Sequence, residues 1–291
     1  MKSIKKIAII GVGLLGGSVG LALKKKFPHI HIVGIGRNED KLIKALKLKA
    51  IDSYNLTPIK GIDGCDIIVI ATPISTIVEI FFSILSHLKP NAVVTDVGST
   101  KEVIINEIYN DPNGRKHFIG SHPMAGSEQS GIDASYAELY QDSSIVVIDD
   151  KMANQKALKI TEEFWKALGG KVINMSAEKH DKVVAYTSHL PHIVASCLAY
   201  TISNYFSDDK IKAKIFGNGL LDTTRIAEGD PKMWLDILIA NQKNILKSIS
   251  EMKNGLNIIE KMIQDKNQQE INKYLLKSKK FRKEILYEKN N

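Results

Sequence analysis

A chain of 291 residues, 44% apolar and 25% charged, is too long for a single small core and has the make-up of a soluble globular protein. Its formal charge of +8, from 40 basic against 32 acidic side chains, is compatible with nucleic acid, membrane surfaces or small anionic ligands and does not choose among them. The lysines are scattered, and the densest run, Lys277 to Lys283, reads as a solvated helix face rather than a stacking platform, so no nucleic acid is expected. No apolar run reaches membrane-spanning length, so no membrane is expected either. Cys65 and Cys197 lie far apart with neither disulfide nor metal spacing, which fits a cytoplasmic protein without a metal. Arginine occurs only four times, at Arg37, Arg115, Arg225 and Arg282, so each raises the question of what a planar fork of donors does there.

The basic start and the apolar stretch after it imitate a secretion signal, but the stretch ends in Lys24, Lys25 and Lys26 rather than a small-residue cleavage site. Lys6 to Ile10 is instead a β-branched strand run, followed by Gly11, Gly13 and Gly16 in G-x-G-x-x-G spacing and then a helical pattern. Gly11 permits the tight turn, Gly13 lets a pyrophosphate approach the backbone, and Gly16 lets helix and strand pack closely. With Leu14 and Leu15 between them, these positions open a helix whose first N–H groups face the phosphates. Further apolar strand runs follow at 31–36, 65–73 and 92–99, separated by helical segments. Such alternation predicts a Rossmann-type α/β domain with a doubly wound, mostly parallel sheet over 1–173, binding NAD(P).

Folds that bind NAD usually end the second strand on an acidic residue that holds the ribose 2′-OH. Here that place reads Gly36-Arg37-Asn38, and Arg37 suits a 2′-phosphate, which leans the cofactor toward NADP. The other reading has Arg37 stacked on adenine or in solvent while Glu39 or Asp40 reaches the ribose. Thr72 and Pro73, at the end of the 65–73 run, complete the expected cofactor contacts. The run at 92–99 leads into Ser99, placed where substrate meets nicotinamide or, equally, as a cap for the helix beginning near Lys101.

From Ser176 the pattern becomes helical, with Ser176 as a cap and a break at 224–230 before Pro231. An all-α domain over 174–291 with this much apolar surface predicts a homodimer through the helices. His189 and His192 share a helix face but lack a third metal ligand, so packing and a polar pocket wall are the readings left open.

Taken together, "GVGLLGGS", "VVTDVGSTK", "GSHPMAGSEQSG", "AEKHD", "SHLPH" and "DTTRIAEGDPKMW" resemble the prephenate/arogenate dehydrogenase family along nearly the whole chain. The resemblance implies oxidative decarboxylation of prephenate to 4-hydroxyphenylpyruvate with NAD(P)⁺ in tyrosine biosynthesis, or of arogenate to tyrosine. It implies a dicarboxylate substrate and a helical dimerisation domain; with the sequence ending at Asn291, neither an added regulatory domain of the kind some members carry nor an N-terminal mutase extension is expected. His122, in the chain's one His-Pro dipeptide, becomes the group that takes the substrate hydroxyl proton, with Ser99 sharing that hydrogen bond. Ser127, Glu128, His189 and His192 become pocket residues. Arg225 becomes the clamp on the side-chain carboxylate that survives in the product, since gripping the leaving carboxylate would stabilise the ground state. Two rivals remain. A β-hydroxyacid dehydrogenase would use Lys179 or Lys182 as proton donor, and a non-catalytic nucleotide-binding protein would bind cofactor without turnover.

Overall fold

The computed structural model describes residues 1, 3–126, 129–206 and 215–290. The chain divides into a compact unit of Met1–Gln242 and a second of Lys243–Asn291. In the first, strand β1 (Lys6–Ile10) leads through the glycine turn into helix α1 (Leu14–Lys26). Strand β2 (His31–Ile35), helix α2 (Glu39–Lys47), strand β3 (Ser53–Asn55), helix α3 (Pro58–Gly61), strand β4 (Ile67–Ile70) and helix α4 (Ile74–Ile84) follow. Strand β5 (Val93–Asp96), helices α5 (Glu102–Tyr109) and α6 (Pro112–His117), and strand β6 (Phe118–Ile119) complete the sheet. All six strands are parallel, in the order β3-β2-β1-β4-β5-β6. The order reverses between β1 and β4, which opens the crevice where ligands of such sheets bind. Helices cover both faces, so β1 after Lys6 and all of β4 are apolar, and they are buried from Ile7 to Ile10 and from Ile67 to Ile70. Each isoleucine so buried contributes roughly 1.5–3 kcal/mol against exposure.

The sequence reading contains no second sheet, and the structure has one. After Gly120 the chain leaves β6 as strand β7 (Ser121–Pro123), antiparallel to β8 (Ser144–Ile148), which is parallel to β9 (Lys171–Met175) across helix α7 (Gln155–Leu168). A Cβ on Gly120 would lie 3.2 Å from both Ile105 and Ile148, so the crossing between sheets is tightly packed. The opening half of the His-Pro segment is therefore strand, with His122 paired to Val146. Strands of two and three residues are too short to show the alternation by which strands are recognised.

Helix α8 (Ala177–Val184) begins at Ser176, whose hydroxyl accepts the Lys179 N–H at 3.2 Å. A wider π turn, Ala185–His189, separates it from helix α9 (Leu190–Tyr205). Pro191 has no N–H for the carbonyl four residues back, and the local widening accommodates its ring. Helix α10 (Asn218–Thr224), a 3₁₀ turn at Arg225–Glu228 and helix α11 (Pro231–Ala240) follow, with the Asp230 carboxylate capping α11 at Lys232 and Met233. The second unit consists of most of α12 (Gln242–Gln264) and of α13 (Gln268–Asn290). Among the described residues, no helix is long and apolar enough to cross a membrane.

Candidate active site

The glycine turn has the shape a dinucleotide needs. Gly11 has φ +94°, and a Cβ there would stand 2.4 Å from the Ala71 carbonyl oxygen at the end of β4 and 3.0 Å from the Thr72 methyl. A Cβ on Gly16 would sit 2.1 Å from the Gly11 oxygen, so helix and strand touch there. Gly13 differs: nothing lies within 4 Å of its Cβ position, which leaves open space in front of α1. No side chain caps α1 and no acidic residue occupies its first turn, so the N–H groups beginning with Leu14 and Leu15 are presented to an anion. Thr72 and Pro73 lie across the same crevice, with Pro73 at the start of α4 and the Thr72 hydroxyl 2.9 Å from that of Thr76. These residues fit a dinucleotide.

Arg37 is exposed just beyond β2. The Asn38 side-chain oxygen is used as the cap of α2, accepting the Lys41 N–H at 3.0 Å. The Glu39 carboxylate, the other candidate for the ribose, accepts the Tyr54 hydroxyl at 2.7 Å.

At the end of β5 one carboxylate organises the two residues expected to meet the substrate hydroxyl. Asp96 accepts the Gly98 N–H at 2.8 Å, beside Ser99, and the Ser121 N–H at 3.0 Å, beside His122. Lys101, fully buried, pairs with the same carboxylate. Burial pushes the Lys101 ammonium pKa down while the Asp96 and Asp181 charges oppose that. The Ser121 hydroxyl is held between Thr95 at 2.7 Å and the Trp165 indole N–H at 3.0 Å. Alternation along β7 then sends the His122 ring to the other face. Ser99, half-buried, is not the helix cap: Lys101 holds that position in α5, and the Lys101 and Glu102 N–H groups donate to the Asp181 carboxylate at 2.8 and 2.9 Å.

His122 is buried, and its Nδ1 lies 2.8 Å from Nε2 of His180, whose own Nδ1 lies 2.7 Å from Asp181. Burial, aided by repulsion from His180, Lys101 and His189, holds the His122 pKa well below the ordinary histidine value, so the ring is neutral at pH 7. Asn241 donates to the Asp181 carbonyl at 2.8 Å and lies 3.2 Å from His189 Nδ1. Burial pushes His189 down to about 4. His192 stacks on Trp234 with ring centroids 3.5 Å apart; burial lowers its pKa, and a hydrogen bond to the Ile226 backbone opposes the shift. His189 Nε2 and His192 Nδ1 are buried polar atoms that no described protein group satisfies, the property of groups that meet a polar ligand.

The sequence-predicted residues are thus partly gathered. Gly98 and Ser121, the neighbours of Ser99 and His122, share Asp96, and the Ile226 backbone that bonds His192 immediately follows Arg225, which is exposed on its 3₁₀ turn. Ser127 and Glu128 lie outside the described residues. Lys179 and Lys182, the donors a hydroxyacid dehydrogenase would need, are exposed on α8, and Lys182 pairs with Glu178 at 2.5 Å. Among the described residues no group of three or more metal-ligating side chains is placed to hold an ion. Sequence reasoning missed Asp96, His180, Asp181, Asn241 and Trp234 as parts of this cluster. The one available signal was the adjacent His-Asp pair inside "AEKHD".

Comparison with known proteins agrees with this architecture. A family model described as "Prephenate dehydrogenase, nucleotide-binding domain" matches residues 19–174, and one described as "Prephenate dehydrogenase, dimerization domain" matches residues 176–277. Prephenate dehydrogenase of Lactococcus lactis is 36% identical over 282 residues, covering 96% of this chain and 77% of the relative. Cyclohexadienyl dehydrogenase of Zymomonas mobilis is 32% identical over 249 residues, 84% of each chain. The crystal structure of prephenate dehydrogenase from A. aeolicus with hydroxyphenyl propionate and NAD⁺ superposes with a TM-score of 0.90 at 33% identity, covering 97% of this chain and 99% of that one. This chain belongs to the prephenate dehydrogenase family of NAD-dependent oxidoreductases.

Proposed function

We propose that this chain converts prephenate and NAD(P)⁺ to 4-hydroxyphenylpyruvate, CO₂ and the reduced cofactor, as a step of tyrosine biosynthesis in the cytoplasm. The observation that carries this reading is the buried, neutral His122 tied through Asp96 to the turn of Ser99 at the carboxyl end of β5. The bound dinucleotide supplies the hydride acceptor. Gly11, Gly13, Leu14, Leu15 and Gly16, with Thr72 and Pro73, hold it. His122 takes up the hydroxyl proton as the ring C–O bond gains double-bond character, and returns it to the phenol oxygen when loss of CO₂ makes the ring aromatic. Ser99 shares that hydrogen bond. Arg225 grips the side-chain carboxylate, with His189 and His192 on the pocket wall; Ser127 and Glu128 are the further substrate-binding residues. Residues 1–173 serve the cofactor, and 174–291 serve substrate binding and dimerisation. Leu246, Leu256, Ile263, Leu275, Leu276 and Phe281 are all more than half exposed, which supports a homodimer through the helices.

The arogenate reading has support of its own in the relative named cyclohexadienyl dehydrogenase. His192, beside the position where prephenate carries a keto and arogenate an amino group, is the residue to choose between them. The exposed Arg37, with Glu39 engaged by Tyr54, favours NADP⁺ over NAD⁺.

The test is a turnover matrix of prephenate or arogenate with NAD⁺ or NADP⁺, following the reduced nicotinamide. Fastest turnover of prephenate with NADP⁺ is expected. Faster turnover of arogenate would transfer the substrate assignment, a clear preference for NAD⁺ would remove Arg37 from cofactor choice, and turnover in no pair would refute the reading. In the same assay Arg225→Ala is expected to raise KM about 100-fold, the loss of one charge-assisted bidentate pair. An unchanged KM would take Arg225 out of the substrate site.

A further inference from the structure

Beyond the proton-accepting histidine lies a second pair of side chains. His180 and Asp181 are both buried on α8, and they link His122 to the start of α5. We infer that His180 and Asp181 are positioning residues that fix the tautomer of His122, leaving its Nε2 unprotonated toward the substrate hydroxyl. The inference rests on the proposed role of His122 and deepens it.

Asp181 anchors this chain of contacts. Its carboxylate lies at the N-terminus of α5 and accepts two backbone N–H groups, from Lys101 and Glu102. With both of its oxygens accepting backbone N–H groups, the carboxylate acts as an acceptor toward His180 as well. The His180 Nδ1 at 2.7 Å must therefore donate. A neutral ring that donates from Nδ1 accepts at Nε2, so the partner at 2.8 Å, His122 Nδ1, must carry a proton. His122 is then left with a lone pair at Nε2, the form a proton acceptor needs. Without His180 either tautomer is open to His122, and the wrong one offers an N–H to a hydroxyl that must lose its proton.

The charged and titratable groups around this chain are few. Lys101 from the β5–α5 turn and His189 from the π turn face His122, and Asp181 lies beside His180. The buried Lys101 ammonium disfavours a second cation on His122. The two rings also meet edge to face, centroids 5.1 Å apart at 77°, so neither can rotate freely. Asn241 braces the backbone of Asp181 from α11.

The first arm of the test needs no substrate. The full chain, labelled with ¹⁵N-histidine and loaded with NADP⁺, is examined at pH 7.5 by long-range ¹H–¹⁵N correlation, with His122 assigned through His122→Asn. A protonated Nδ1 and a pyridine-like Nε2 on His122 are expected. A protonated Nε2 on His122, or a doubly protonated His180, would overturn the inference. The second arm is kinetic. His180→Leu should lower kcat about 100-fold, at the low end of what general-base catalysis contributes, with KM and cofactor affinity within about twofold and a displaced acid limb in the pH profile. His180→Gln, whose side-chain oxygen can still accept from His122, should recover most of that loss. A folded His180→Leu enzyme with kcat within threefold of the parent would also overturn it, as would a loss confined to KM. If His180→Leu does not fold, the resonance arm and His180→Gln decide. Turnover in no cell of the substrate matrix would sink the reaction assignment alone, because the tautomer is read without turnover.

Discussion

Replacing His122 by asparagine is expected to lower kcat by about 10²–10⁴-fold, the usual contribution of a positioned general base. KM and cofactor affinity should change little, because the glycine turn and Arg225 are untouched. The pH profile of the parent enzyme supplies an independent check with a definite sign. The folded-state pKa of His122 lies well below the ordinary 6.5, so the ring stays neutral as pH falls through that value. The acid limb of kcat/KM must then lie below about pH 6.5, the ordinary histidine value, and no activity is gained above it from deprotonating this group. An acid limb at or above 6.5 would mean that a different group accepts the proton. A His122→Asn enzyme with intact kcat and raised KM would make the histidine a binding residue only.

Lys101→Met is expected to cost about 3–5 kcal/mol of stability, the typical penalty for leaving a buried charge without its partner. Lys101 and Asp96 are both fully buried, and no water can screen the carboxylate left behind. Because Asp96 also holds the backbone beside Ser99 and His122, the variant should lose turnover along with stability. The double variant Lys101→Met with Asp96→Asn removes the orphaned charge and should recover part of the loss. Equilibrium urea unfolding of the parent and the two variants measures both effects. A loss under about 1 kcal/mol in Lys101→Met would show that the site tolerates the loss of the Lys101 partner. The ion pair would then matter for geometry rather than for stability.

The large features of this protein were legible in its sequence because they are local. β1, β2, β4 and β5 announce themselves as continuous apolar runs, since a parallel sheet covered on both faces has no polar side. The glycine spacing is equally local: the positive φ at Gly11, the contact behind Gly16 and the open space at Gly13 are three demands on one turn. Caps at Ser176 and Asp230 are satisfied within three residues. Motif resemblance added the reaction, and with it the candidates His122, Ser99 and Arg225.

What the sequence could not display is the partnership between distant residues. His122 meets His180 across 58 positions, and Asp181 caps a helix that begins 79 residues earlier. Neither contact leaves a periodicity or a spacing, because each side chain satisfies its local pattern and only packing of α8 against α5 brings them together. The short strands β6 and β7 escaped for the same reason, being held as strands by their neighbours rather than by their own composition. The apparent candidacy of Ser99 as a cap was removed by a carboxylate from α8, not by anything near it in the chain. The sequence by itself therefore determined the fold class and the glycine turn, and it named His122, Ser99 and Arg225 as candidates. Only the tertiary structure decided which polar groups share the buried space around His122, since charge and hydrogen bonding there depend on who is excluded from water together.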